Sequence, residues 1–103
     1  MARFLVTYHA GDMPHDPESM AKARDAFMEW AARTGSALVD PGAPVKSAMT
    51  VSGAGTADGF ADGLFTGWSV IEAADTDAAA AVLGDHPFIG RGGVLQLSEP
   101  VEF

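Results

Sequence analysis

The sequence predicts an α+β domain in which two helices cover one face of an antiparallel sheet. Three observations carry this reading. Runs rich in branched and aromatic residues, at 4–8, 65–72 and 93–97, have strand character. Two segments, at 16–35 and 75–84, carry helix start and stop signals around good helix formers. The chain has 103 residues, which predicts a single domain over 1–103, since domains usually run to roughly 100–200 residues.

Each element follows from local chemistry. Phe4, Leu5, Val6, Thr7 and Tyr8 form the first strand, and Gly11, Asp12 and Pro14 mark the loop after it. Asp16-Pro17-Glu18 starts a helix: the Asp16 carboxylate can accept from free N–H groups, and Pro17 has no N–H to leave unsatisfied. Met20, Ala23, Phe27, Trp30 and Ala31 then recur at helical spacing, with Lys22, Asp25, Glu29 and Arg33 largely opposite. Glu18 with Lys22 and Glu29 with Arg33 stand in the favourable i, i+4 order, and Gly35 stops the helix. Residues 36–40 read as a second strand ended by Pro41, Gly42 and Pro44, and residues 48–52 as a third. The glycine-rich stretch 53–63 reads as a mobile hairpin connection. The strand at 65–72 follows. A helix capped by Asp75 or Thr76 runs to Leu83, where Gly84 and His86-Pro87 end it, because a residue before proline avoids helical geometry. The strand at 93–97 closes the domain, with an edge piece near the C-terminus.

The resulting order, strand, helix, strand, strand, helix, strand, is the ferredoxin-like β-α-β-β-α-β arrangement. The first and fourth strands carry apolar residues at both parities: Phe4, Val6 and Tyr8 against Leu5, and Phe65 and Ile71 against Trp68 and Val70. A sheet with one wet face would alternate more cleanly. The second face is therefore expected to meet another copy of the chain, giving a homodimer joined through its sheets.

Composition excludes several classes. Fourteen acids against six bases leave a formal charge of -8, too acidic for a phosphate-tracking surface or a polybasic membrane contact. The absence of cysteine excludes disulfides, thiol catalysis and every zinc site that needs sulfur. No stretch approaches the ~20 apolar residues of a membrane-spanning helix, and the apolar run at the N-terminus is too short for a signal segment. The expectation is a cytoplasmic protein with no nucleic-acid or membrane partner. Gly53-Ala54-Gly55 lacks a third glycine in a strand-to-helix setting, and residues 84–93 lack the Gly-Lys-Ser/Thr ending of a phosphate loop. No cofactor is implied.

The stretch Gly63-Leu64-Phe65-Thr66-Gly67-Trp68-Ser69-Val70-Ile71, leading into an alanine-rich helix, resembles the YCII-related (YciI-like) family. So do His86-Pro87-Phe88 with the glycines at 90–93, and Arg3-Phe4-Leu5-Val6. The resemblance spans nearly the whole chain through short motifs. It implies a dimeric α/β barrel with a sheet-lined pocket, in which some members are thought to use a His–Asp pair. One relative is associated with dehydrochlorination of a chlorinated hydroquinone. The family histidine lies on the first helix after an arginine and an acid; here Arg24-Asp25-Ala26 is followed by Phe27, so that pair does not carry over.

The remaining chemistry sits in few residues. The loop from His9 to Asp16 holds two imidazoles and two carboxylates, and a carboxylate can orient an imidazole for proton transfer. One reading makes His9 a base with Asp12 or Asp40 as its orienting acid; the other makes His9 and His15 plain loop residues and Asp16 only a cap. His9, Asp12 and His15 could offer metal ligands, but their spacing matches no compact motif, and no metal is expected. His86 is either a pocket imidazole or a turn residue whose ring bonds a backbone carbonyl near the helix end. Tyr8 either offers a phenolic hydrogen bond to a pocket or satisfies itself locally, Arg91 either holds an anionic substrate or offsets nearby aspartates, and Trp68 is a surface for the partner or the pocket; Trp30 reads as core. Two functions stay open: a dimeric protein that binds a small organic molecule without reaction, or a cofactor-independent lyase- or isomerase-like enzyme that moves protons on an aromatic or lactone substrate.

Overall fold

The computed structural model describes residues 1–10, 15–60 and 65–101. In chain order it contains β1 (Ala2–Ala10), α1 (Pro17–Thr34), β2 (Leu38–Pro44), β3 (Met49–Ser52), β4 (Gly55–Asp58), β5 (Phe65–Ala73), α2 (Thr76–Leu83), α3 (Pro87–Gly90) and β6 (Gly93–Ser98). The main sheet is antiparallel in the order β2-β5-β1-β6. It is α+β, and the strand order is compatible with a ferredoxin-like arrangement.

Both long helices begin as their sequences dictate. The Asp16 carboxylate accepts from the Ser19 N–H at 2.8 Å, and that bond holds its carboxyl below the usual range. Asp75, not Thr76, caps α2, accepting from the Ala78 N–H at 2.8 Å. Gly35 ends α1 with φ +65°, a left-handed conformation that suits glycine. The pairs Glu18–Lys22 and Glu29–Arg33 form at 3.5 and 3.9 Å, both exposed, so they add little to stability.

Strand parity sorts the sheet. Phe4, Val6 and Tyr8 of β1 and Ile71 and Ala73 of β5 face the helices and are buried. Trp30, Ala79, Leu83 and Phe88 complete the core from the helices. The opposite face carries Leu5, Thr7 and His9 beside Val70, Trp68 and Phe65, with Val94 and Gln96 of β6 next to them. Leu5 and Val94 there are 39% and 52% exposed.

Three elements depart from the sequence expectation. The second strand does not stop at Pro41 but runs on through Pro44. It lies at the sheet edge, where a missing N–H costs no ladder bond, and it is bulged twice against β5. Residues 48–52 do not join the main sheet: β3 pairs only with β4, in an exposed hairpin turned by Gly53 and Ala54. The strand Gly55–Asp58 therefore replaces the first part of the expected loop, while residues 61–64 lie outside the described residues. His86-Pro87 ends α2 but also starts α3, a one-turn helix with proline at its first position.

The bulge in β2 depends on Gly42. Its φ is +65°, its N–H is held by the Asp40 carboxylate at 2.8 Å, and a Cβ there would collide with the Trp68 carbonyl. Gly42→Ala should destabilise the fold by about 1–3 kcal/mol, from left-handed strain and steric overlap together. Urea denaturation checks this; an unchanged midpoint would mean that β2 does not cross β5 in this register.

Candidate functional site

Among the described residues, it is the C-terminal end of α1 that is tied down closely. Trp30, near its C-terminus, is fully buried; its indole N–H donates to Asp85 Oδ1 at 3.2 Å, and its ring centroid lies 4.4 Å from that of His86. Arg33 one turn on also reaches Asp85, at 3.4 Å. Toward the N-terminus of the same helix, Phe27 is half-buried and Met20 is 54% exposed, although both belong to the apolar stripe. That stripe faces a half-open cleft of about 660 Å³ between α1, the bulge of β2, the ends of β1 and β5, and α3. The size suits a small organic molecule. The cleft wall is mostly apolar, with Phe27, Phe88, Pro41 and Met20 among its residues.

Most polar groups in or behind this wall are already committed. The Tyr8 hydroxyl donates to Ser69 Oγ at 2.5 Å, and Ser69 in turn donates to the Pro41 carbonyl at 2.8 Å. Burial pushes the Tyr8 phenol above its ordinary value, partly offset by the bond to Ser69. Thr66 donates to the Tyr8 carbonyl at 3.2 Å. This chain of bonds ties the bulged edge strand to the sheet centre.

His86 and Arg91 bracket α3 and differ from these groups. His86 is 4% exposed, and its Nδ1 accepts the Phe88 N–H at 3.1 Å, capping α3. That bond assigns the proton to Nε2, which has no partner among the described residues. The ring lies among Tyr8, Phe27 and Trp30, at centroid distances of 5.1, 5.7 and 4.4 Å. Burial lowers its pKa to about 4, and the charge of Arg91 pushes the same way against a smaller opposing effect of Asp85. Arg91 places its guanidinium carbon 5.5 Å from the Phe88 ring centroid. Its Nε is buried without a partner, and no carboxylate among the described residues pairs with it.

Of the residues singled out from the sequence, Tyr8, His86 and Arg91 come together in the cleft wall. His86 is a cleft residue and also a turn residue, but its ring accepts from the Phe88 N–H and bonds no backbone carbonyl, because Nδ1 faces the free N–H groups at the start of α3. His9 and Trp68 do not join them. The His9 ring bonds Thr7 Oγ1 at 2.8 Å and lies 5.8 Å from the Phe65 ring, on the sheet face away from the helices. Trp68 stands opposite Thr7 on that same face. Asp40 is exposed at the sheet edge, where its carboxylate serves the β2 bulge, and no hydrogen bond joins it to His9 among the described residues. Asp12 lies outside the described residues, and among those described no three histidine or carboxylate side chains converge. Arg24 and Thr66 are wall residues that the sequence reading passed over. Arg24 was within reach of it, since Met20, Arg24 and Phe27 share one helical face at i, i+4 and i+7. No helix among the described residues is long and apolar enough to cross a membrane. No protein-family model and no curated protein matches the chain.

The His86 environment makes stability depend on pH. An unfolded imidazole titrates near 6.5 and the folded one near 4, so the unfolded chain takes up the proton first. Stability from this group is complete above pH 6.5 and is lost as pH falls from 6.5 toward 4, by at most about 1.4 kcal/mol per pH unit. His86→Asn keeps an acceptor for the Phe88 N–H and removes the titration. Urea midpoints across this range should flatten in the variant; equal slopes in both proteins would place the acid sensitivity elsewhere.

Proposed function

We propose that this chain is a small-molecule-binding protein, YCII-related in kind, that acts as a homodimer and takes a small organic ligand in the cleft under α1. One observation carries the reading: the N-terminal half of α1 turns an apolar stripe not onto the sheet but onto about 660 Å³ of open space. Apolar surface left uncovered beside a few polar groups is what a ligand site needs and what a core avoids. Phe27, which stands where the family resemblance would put an imidazole, belongs to that wall. The proton-transfer reading draws less support. It asks for an imidazole beside a carboxylate at the ligand, whereas His9 lies on the other sheet face and His86 has its Nδ1 committed to Phe88.

The dimer half of the proposal rests on the open sheet face. Leu5, Trp68, Val70 and Val94 form an apolar strip there, flanked by the Arg3–Glu72 pair at 3.5 Å. Face-to-face contact of two such sheets would cover this strip and enclose His9 and Thr7.

Binding can be tested with 1-aminoanthracene, a neutral apolar fluorophore. Its emission should rise with the wild-type protein, and Ala23→Trp, which fills the cleft from α1, should weaken binding at least about tenfold. Equal binding to both proteins would remove the cleft as the site. Light scattering at micromolar concentration should give twice the chain mass of 10.6 kDa. Leu5→Glu should return it to the monomer mass, and a monomeric wild-type protein would exclude the sheet-to-sheet interface.

A further inference from the structure

We propose that the ligand of this cleft is a monocarboxylate with an apolar, aromatic or long alkyl body, its carboxylate held by Arg91 and the Nε2–H of His86. This rests on the reading of the cleft as a small-molecule site and specifies what the site selects.

The hydroxyls of Tyr8 and Thr66 each donate to a protein oxygen, and the Pro41 carbonyl already accepts from Ser69. The buried polar atoms left without a partner among the described residues are His86 Nε2 and Arg91 Nε. Both are donors. With Nδ1 accepting from Phe88, the His86 ring presents an N–H at Nε2, and a guanidinium has no lone pair to offer. A buried donor left unmade is costly, and native structures rarely keep one without a use. Both residues line the cleft, and although these two atoms are covered in this structure, a carboxylate that displaces the side chains over them would satisfy both; the positive charge of Arg91 calls for an anion.

Charge sets the choice further. The chain carries fourteen carboxylates, yet none of those described pairs with Arg91. Arg24, the other cation in the wall, is exposed and lies 3.9 Å from the Asp25 carboxylate. One guanidinium without a carboxylate partner among the described residues matches one negative charge. A phosphate monoester would bring more charge than Arg91 neutralises into an acidic chain of net charge -8. The rest of the wall is mostly apolar, with Phe27, Phe88, Met20 and Pro41, and suits an apolar body.

The position of these donors follows from α3. His86 is its N-cap and Arg91 its C-cap, so one helical turn sets both side chains against the same wall. Gly93 follows closely, and a Cβ there would strike the Phe88 ring over which Arg91 lies. The segment thus holds the two donors as a unit.

Calorimetric titration with two matched pairs of probes tests the proposal: 2-naphthoate against 2-naphthamide, and decanoate against decanamide. The carboxylate of at least one pair should bind about tenfold to a hundredfold more tightly than its amide, the range expected of charge-assisted hydrogen bonds. In Arg91→Met the carboxylate should fall to the level of its amide, while 1-aminoanthracene, which needs no anion anchor, still binds and thereby reports an intact cleft. The His86 Nε2–H resonance should shift on adding the carboxylate and not the amide. Amides binding as tightly as carboxylates would overturn the anion assignment and leave the cleft reading standing. Failure of all four probes, together with 1-aminoanthracene, would overturn both. The wild-type ratio needs no variant, so a poorly folded Arg91→Met does not remove the test.

Discussion

The seating of Trp30 is the contact on which the rest of this small fold depends. Its indole is fully buried, bonded to Asp85 and packed against His86, and it joins α1 to the turn between α2 and α3. Truncating a buried aromatic of this size typically costs about 3–5 kcal/mol, a large part of what a domain of this length has. One end of α1 is thereby pinned, and the other is left standing off the sheet. The cleft is the space that this asymmetry leaves open. Trp30 also removes His86 from water, so the helix anchor and the neutral imidazole in the wall have a common cause.

The cleft and the sheet share a second constraint, the bulged edge strand. Pro41 and Gly42 form part of the wall because β2 departs from regular pairing with β5. The bonds from Tyr8 through Ser69 to the Pro41 carbonyl hold that departure in place. Those residues spend their polar capacity on structure. The buried side-chain atoms left without a partner among the described residues lie on the residues that flank α3, and both are donors.

Local chemistry made much of this visible in the sequence. Asp16-Pro17, Gly35 and Asp75 act through bonds to residues within a few positions, so their roles survive any tertiary arrangement. The apolar stripe of α1 was equally legible as a stripe. Its division into a buried end and an open end was not, because periodicity reports which residues share a face and not how closely that face approaches its neighbour. Prolines misled at β2 for a related reason: a proline stops a central strand but not an edge strand, and the edge is a property of the whole sheet. The 48–52 segment had strand composition and became a strand, but its partner was the next four-residue strand and not the main sheet. Strand alternation puts Tyr8 and His9 on opposite faces, a consequence the sequence reading did not draw when it named both as site residues.

By itself the sequence determined the class, the helix boundaries, the two-sided apolar character of β1 and β5, and the short supply of groups able to do chemistry. Each of these depends on neighbours along the chain or on composition. Only the tertiary structure decided that Tyr8, His86 and Arg91 meet, that His9 and Asp40 stand apart from them, and that His86 is a neutral donor. Those outcomes depend on groups distant in sequence: Trp30 and Tyr8 bury the imidazole, and Phe88 claims one of its nitrogens. An imidazole by itself can be acid, base, donor or acceptor, and its surroundings in space leave it one of these.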